Sequence, residues 1–552
     1  MRKKILLAAC LFFIGSGNLR AQQKNTNTPV FNNGIERPKL VVGLVVDQMR
    51  WDYLYRYFNR YGNGGFKRLL QQGYSFENTF IPYTPAVTAA GHTCLYSGSI
   101  PAINGIVGND WIERDSGKIM YCSQDKSVST VGSFSRQGQM SPKNMLVTSV
   151  ADELRLATNF RSRTFGVALK DRGGIFPAGH SANAAYWFDD STGNWITSTY
   201  YMNNLPAWVN SYNSSRKVDS MMMNDWNLLY DISMYEQSTT DDKKYEQPLY
   251  HEKTRTFPHV YSSLIGKNYY PFRQSPYGNT LTLDFAKKLI QNERLGMSGQ
   301  ADMLCVSLSS TDYIGHRFGP NSLEVEDTYL RLDKEIEQFL NYLDATMGKG
   351  QYLFFLSADH GAPQVPDFMK ENKMPGGSLY SYELAKELNR VCAEKFEVKN
   401  VVKAIYEYQV YLNNDVIDSN KLDREAIKDV IIRHLRSKLE IVRAFDYEKF
   451  DQLVMPAQQK DIFAKGYFYK RSGDIQFILK PQYTDVLSLG TEHGTMYTYD
   501  THIPLLWYGW KIKPGKTYRE VYMTDVAPTI SALLKIQMPS GSVGHVLEEL
   551  VK

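Results

Sequence analysis

Three aspartates and three histidines stand where they could do chemistry together. Asp47 follows the apolar run from Lys39 to Val46. Asp312 and His316 lie four residues apart after the run from Asp302 to Leu308. Asp359 and His360 follow the run from Tyr352 to Leu356, and His493 sits in Gly490-Thr-Glu-His-Gly494. Carboxylate oxygens and imidazole nitrogens suit Zn²⁺. Two sets of three could hold a pair of ions about 4 Å apart, clamping the attacking and leaving oxygens of an in-line displacement. Each element alone has a plainer reading, because an aspartate after a strand commonly caps a helix and a histidine is commonly a hydrogen-bonded core or surface residue. The pattern repeated at several strand ends is what points to a site. His92, His180, His251, His259, His434, His502 and His545 do not share it and are assigned structural roles.

A hydroxyl residue joins this set. Pro85-Ala-Val-Thr88-Ala-Ala-Gly-His92 reads as a turn entering a helix that runs through Thr93, Cys94, Leu95 and Tyr96 and stops at Gly98. Thr88 would stand at the helix N-terminus, where free N–H groups and the positive dipole end favour an anion. It could cap the helix or act as a nucleophile beside a bound phosphate.

The elements that must position these residues alternate. The β-branched run 39–46 has the pattern of a strand buried on both faces of a parallel sheet. Ser141-Pro142 is read as opening a helix to about Thr158, with serine as N-cap and proline at the first helical position. Strands are expected at 165–169, 302–308, 352–356 and 503–508, and helices at 282–295, 322–347 and 525–536. Strand–helix alternation predicts an α/β fold with a doubly wound, mostly parallel sheet. Sites in such sheets lie at the strand carboxyl ends. Segments at about 189–275 and 363–485 interrupt the rhythm and read as insertions capping the site.

Composition narrows the class. The 552-residue chain carries a formal charge of +5. Arg2-Lys3-Lys4, an apolar stretch from Ile5 to Ile14 and small residues up to Ala21 read as a signal peptide over 1–21. Cys10 offers a second-ranked lipoprotein reading. Without the four basic residues of 1–21, 59 basic residues face 58 acidic ones. That near balance lacks the basic excess of a nucleic-acid binder. No later stretch has 18 consecutive apolar residues, so no transmembrane segment is expected in the mature chain. Periplasmic or secreted placement and a monomer are expected. Cys94 and Cys122 could pair in an oxidising compartment.

The order Asp47, Thr88, Asp312-x3-His316, Asp359-His360, His493 resembles the alkaline phosphatase superfamily of bimetallo phosphatases and nucleotide pyrophosphatases. The resemblance covers nearly the whole mature chain and implies one alkaline-phosphatase-like catalytic domain over 22–552. It implies two Zn²⁺: one held by Asp47, Asp359 and His360 with Thr88, the other by Asp312, His316 and His493. Thr88 would be the nucleophile. Gly105-Ile-Val-Gly-Asn109-Asp-Trp111 resembles the loop whose asparagine binds a phosphoryl oxygen. Lys170-Asp-Arg172 resembles the Lys-x-Arg element of the PafA-type bacterial alkaline phosphatases. A monoester dianion offers three terminal oxygens and can occupy Asn109, Lys170 and Arg172 together. A diester would leave a desolvated cation under-used.

The resemblance therefore implies an alkaline phosphatase acting on small-molecule phosphate monoesters through a phosphothreonine. A phosphodiesterase or nucleotide pyrophosphatase on the same scaffold is the alternative. A non-catalytic metal-binding protein fits less well, because structural zinc sites are usually closed and cysteine-rich. The C/S-x-P-x-R motif of sulfatases and the Asp-Ser-Ala motif of serine-type phosphatases are absent around Thr88.

Overall fold

The computed structural model describes residues 34–551. The signal-peptide and Cys10 readings lie outside the described residues. The chain divides into a segment Met1–Glu36 and a unit Arg37–Lys552, and every element below belongs to the latter.

The strands of the central sheet and of a smaller sheet, in chain order, are β1 (Leu40–Val46), β2 (Tyr74–Phe76), β3 (Thr130–Val131), β4 (Thr164–Ala168), β5 (Ala184–Asp189), β6 (Asn194–Ser198), β7 (Asp302–Leu308), β8 (Tyr352–Ser357), β9 (Val402–Tyr406), β10 (Gln409–Leu412), β11 (Ile441–Asp446), β12 (Ile475–Leu479), β13 (Leu505–Gly509) and β14 (Gly515–Thr517). Ten of them form one sheet in the order β14-β2-β13-β8-β1-β7-β4-β5-β6-β3. Its middle is parallel: β8, β1, β7, β4 and β5 run the same way. All seven residues of β1 are buried, as an apolar, β-branched strand at the centre of a two-faced sheet requires.

The flank pairs β8–β13, β13–β2, β5–β6 and β6–β3 are antiparallel while the edge pair β2–β14 is parallel, so the sheet is mixed. The apolar run expected at 503–508 becomes β13, antiparallel to β8. Its composition marks burial, and composition carries no strand direction.

The helices that matter for the site are α1 (Thr88–Ser97), α2 (Val150–Ala157), α3 (Asp171–Ala178), α4 (Tyr277–Asn292), α5 (Ser310–Phe318), α6 (Leu323–Met347) and α7 (Val526–Leu534). The helix expected from Ser141 does not start there. The Ser141 hydroxyl donates to Asp125 Oδ2 at 2.7 Å, and its N–H bonds the Ser123 carbonyl. The helix begins nine residues later as α2, where Ser149 and Asp152 form a reciprocal capping box. α4 starts at Tyr277 rather than at 282, directly after Pro276. A proline with its fixed φ is already suited to a helix entrance.

Within 363–485, β9, β10, β12 and β11 form an antiparallel sheet with its own apolar cluster of Leu388, Val410, Ile431 and Phe477. Cys94 and Cys122 are both buried and unpaired. The Cys94 sulfur instead accepts from Asn104 Nδ2.

Candidate active site

Four parallel strands deliver the site residues at their carboxyl ends. Asp47 follows β1, and Lys170 follows β4 as the N-cap of α3. α5 follows β7 and carries Asp312 and His316 one turn apart. Asp359 and His360 follow β8. His493 arrives on the loop between β12 and β13, pinned by the Thr491 N–H on the His316 carbonyl.

The six ligand-type residues fall into two clusters. Asp47, Asp359 and His360 bring their donor atoms within 4.8 Å of one another, and so do Asp312, His316 and His493. In each histidine Nδ1 faces a backbone carbonyl: Gly361 for His360 at 3.0 Å, Thr491 for His316 at 2.8 Å and Ala86 for His493 at 2.9 Å. A carbonyl only accepts, so Nδ1 donates to it, and Nε2 turns toward the acids. That is the orienting contact found behind metal-binding imidazoles. Both oxygens of Asp47 and Oδ2 of Asp359 are buried without an aligned hydrogen-bond donor. Burial and then the charge of Asp359 push the Asp47 carboxyl well above its ordinary value. Burial and the imidazoles of His360 and His316 hold His493 well below its own. His316 differs from His493: against its burial, the Asp312 charge raises it to about 10. Crowded, buried carboxylates and imidazoles of this kind suit divalent cations. A third acidic group, Glu425, Asp446 and Glu448, differs: it holds no histidine, and two of its three residues are exposed.

Thr88 is 1 % exposed and is the first residue of α1. The N-cap is Val87, and no side chain caps the helix. Of the two readings open in the sequence, the capping one is absent from the structure. The hydroxyl instead lies 3.4 Å from His360 Nε2 and 3.3 Å from Lys170 Nζ. Lys170, 2 % exposed, bridges the two clusters, with Nζ 2.7 Å from Asp47 Oδ2 and 2.5 Å from Asp312 Oδ2. Asn109 is tied to the same helix start, its Oδ1 accepting the Ala89 N–H at 3.1 Å. Arg172 stands further out. Its Nη1 donates to the Tyr121 hydroxyl at 2.9 Å, and its Nε is buried without a partner.

Several neighbours were not legible as site residues. His92 Nδ1 lies 3.0 Å from the Thr88 carbonyl and 3.2 Å from Asp359 Oδ2, while the Ser307 hydroxyl reaches its Nε2 at 2.8 Å. Its position four residues after Thr88 on a helix was the available signal. Gln48 donates from Nε2 to Asp312 Oδ1 and from its backbone to Asp359 Oδ1, so it orients one acid of each cluster. The Tyr121 hydroxyl accepts from Arg172 and donates to Asp171.

The approach of α1 to the β8 end depends on Gly91. A Cβ there would meet the Asp359 carbonyl oxygen at 2.4 Å, and that atom is backbone. Gly91→Ala should push Thr88 away from His360, cost about 1–3 kcal/mol by overpacking and lower kcat/KM. A melting curve and steady-state kinetics on that variant check both. Unchanged values would show that the contact has slack.

Comparison with known proteins adds context to this geometry. Residues 41–502 match the family model described as type I phosphodiesterase/nucleotide pyrophosphatase. The chain is 50 % identical over 550 residues to "Alkaline phosphatase PhoV" of Synechococcus elongatus, covering all of both chains. It is 49 % identical over 556 residues to a Myroides odoratus protein named "Calcium-transporting ATPase", covering 100 % of this chain and 99 % of that one. The crystal structure of wild-type alkaline phosphatase PafA superposes with a TM-score of 0.92 at 46 % identity, covering 94 % of this chain and all of that one.

Proposed function

The chain belongs to the type I phosphodiesterase/nucleotide pyrophosphatase family, and we propose that within it the chain is an alkaline phosphatase hydrolysing phosphate monoesters through a phosphothreonine at Thr88. Full-length relatedness to a protein named as an alkaline phosphatase, and the superposition on another, support the activity. The observation that carries the monoester reading is Lys170: a buried ammonium 3.3 Å from the Thr88 hydroxyl, with Arg172 two residues on. Cations placed beside a nucleophile favour the more highly charged ester.

In the first step a bond forms between Thr88 Oγ1 and phosphorus as the ester P–O bond breaks, and the proton released from the Thr88 hydroxyl ends on the departing alcohol. In the second, a water oxygen bonds to phosphorus, the Oγ1–P bond breaks, Thr88 regains its hydroxyl and inorganic phosphate leaves. Asn109, Lys170 and Arg172 hold the terminal oxygens throughout, and positioning with charge does most of the work in such a loose transition state. Asp47, Asp359 and His360 with Thr88 would hold one Zn²⁺, and Asp312, His316 and His493 the other. Bound there, the ions would lower the pKa of hydroxyl and water and offset charge on the reacting oxygens. His92 and Gln48 keep the acids aimed.

The name of the Myroides relative refers to that protein; ATP hydrolysis is itself phosphoryl transfer. Among the described residues no helix is long and apolar enough to cross a membrane. We take residues 1–21 as a signal peptide, with a periplasmic or secreted monomer as the mature form, a single catalytic domain over 22–552 and inserted caps at about 189–275 and 363–485.

Stripping the purified protein with a chelator should abolish monoester turnover and lower Tm, with both returning on addition of Zn²⁺. A ligand present at about a thousand times its Kd adds roughly 4 kcal/mol to stability, so the thermal shift should be several degrees. A stripped protein with unchanged Tm and turnover would contradict the metal assignment.

A further inference from the structure

The inserted segment 363–485 touches the loops around the site at several points: the Pro363 carbonyl accepts from the Thr491 hydroxyl, the Thr484 hydroxyl pairs with the Glu492 backbone, and the tip of the β9–β10 hairpin lies against Gly108 and the His493 carbonyl. Tyr406 pairs with Gln409, so Glu407 and Tyr408 form a two-residue turn. Their φ values are 50° and 61°. Turns of this kind are normally built from asparagine and glycine, because side-chain-bearing residues are disfavoured at positive φ. Neither residue here is of that type. Backbone outliers held in place by their surroundings point to function, and the tip's contacts show where to look.

The Glu407 carboxyl faces the Asn109 backbone N–H, and burial, then the charge of Glu492, pushes it up to about 8. Its stem lies over Gly108, where an added Cβ would stand 3.1 Å from Glu407 Cγ. The Asn109 carbonyl is held by the Cys122 N–H at 2.9 Å, and its side-chain oxygen by the Ala89 N–H at 3.1 Å. With its carbonyl and side-chain oxygen bonded and its backbone N–H facing Glu407, Asn109 leaves Nδ2 as the donor for a phosphoryl oxygen in the functional reading above. The neighbouring Tyr408 hydroxyl donates to the His493 carbonyl at 3.2 Å. One strained turn thus touches both the phosphate donor and the backbone of a metal-ligand candidate.

We propose that Glu407 is a positioning residue of the phosphatase site: from the inserted hairpin it fixes the Gly108-Asn109 backbone and thereby the direction of the Asn109 amide. The inference rests on the functional reading above, in which Asn109 binds substrate. Glu407 itself touches neither substrate nor reacting atoms.

A double-mutant cycle tests it, using Glu407→Ala, Glu407→Gln, Asn109→Ala and the Glu407→Ala/Asn109→Ala pair in the zinc-loaded full chain. The readouts are kcat/KM for an aryl phosphate monoester, inhibition by inorganic phosphate, and Tm. Glu407→Ala should lower kcat/KM roughly tenfold and weaken phosphate inhibition in step, since small misplacements of a binding group are costly. Glu407→Gln keeps an acceptor for the Asn109 N–H and should retain most of the activity. In the Asn109→Ala background, Glu407→Ala should change kcat/KM by less than about twofold, because coupled residues are not additive. Equal losses in both backgrounds, or no loss in either, would overturn the inference. The wild type is measured alongside: absence of monoester turnover there would take down the functional reading and this inference with it, whereas normal turnover with an additive cycle overturns the inference alone.

Discussion

Thr88→Ala is expected to reduce monoester kcat/KM by on the order of 10⁴-fold or more, comparable to losses seen when a covalent nucleophile is deleted, while leaving the fold nearly intact. The two halves of that expectation have separate physical grounds. The hydroxyl stands between His360 Nε2 and Lys170 Nζ. Without it a water would have to attack directly, with no group to place it. The hydroxyl caps nothing, since α1 begins without a side-chain cap. Its loss therefore opens no helix end, and Tm should move by only a few degrees. Thr88→Ser keeps the oxygen and should retain substantial turnover. Retention of activity within tenfold by Thr88→Ala would remove the nucleophile from the account.

The second large effect belongs to Lys170. In the zinc-loaded protein, Lys170→Ala should lower monoester kcat/KM by about 10²–10³, the usual consequence of deleting one preorganised group at a developing charge. The loss on a methyl diester should be much smaller, since a diester carries one charge fewer and offers one terminal oxygen fewer. A second readout separates this role from general damage. Lys170 Nζ lies against Asp47 and Asp312, both buried. In the metal-free protein its removal leaves those carboxylates uncompensated, and stability should fall by on the order of 3 kcal/mol. Zinc loading should restore most of that. Arg172→Ala should share the monoester selectivity without the stability loss, because its Nη1 is held by the neutral Tyr121 hydroxyl.

The parts of this molecule that could be read from sequence are those whose signal is local. The run 39–46 specifies a buried central strand by composition alone, and β1 is that strand. The acids and histidines at the ends of the parallel strands were visible because strand ends are where such a sheet exposes side chains. Direction was not local: β13 has the same apolar content as β8 and runs against it. Ser141 had the composition of a helix cap, but its hydroxyl was claimed by Asp125, a contact that no sequence spacing reports. The residues that orient the site were hidden for the same reason. His92 meets Ser307 across 215 positions and Gln48 meets Asp312 across 264. Glu407 belongs to a segment read only as a cap, and its role rests on a turn whose two residues give no turn signal. Residue types suggested what the chemistry could be; long-range packing decided which neighbours hold it in place.

The central claim is that this bimetallo-type site acts on monoesters because Lys170 and Arg172 stand beside Thr88. The most direct test is the ratio of kcat/KM for an aryl phosphate monoester to that for its methyl diester, measured at mildly alkaline pH in the zinc-loaded wild type and in Lys170→Ala/Arg172→Ala. The account predicts a strong monoester preference in the wild type that collapses in the double variant. A wild-type preference for the diester, or a monoester preference that survives loss of both cations, would contradict it.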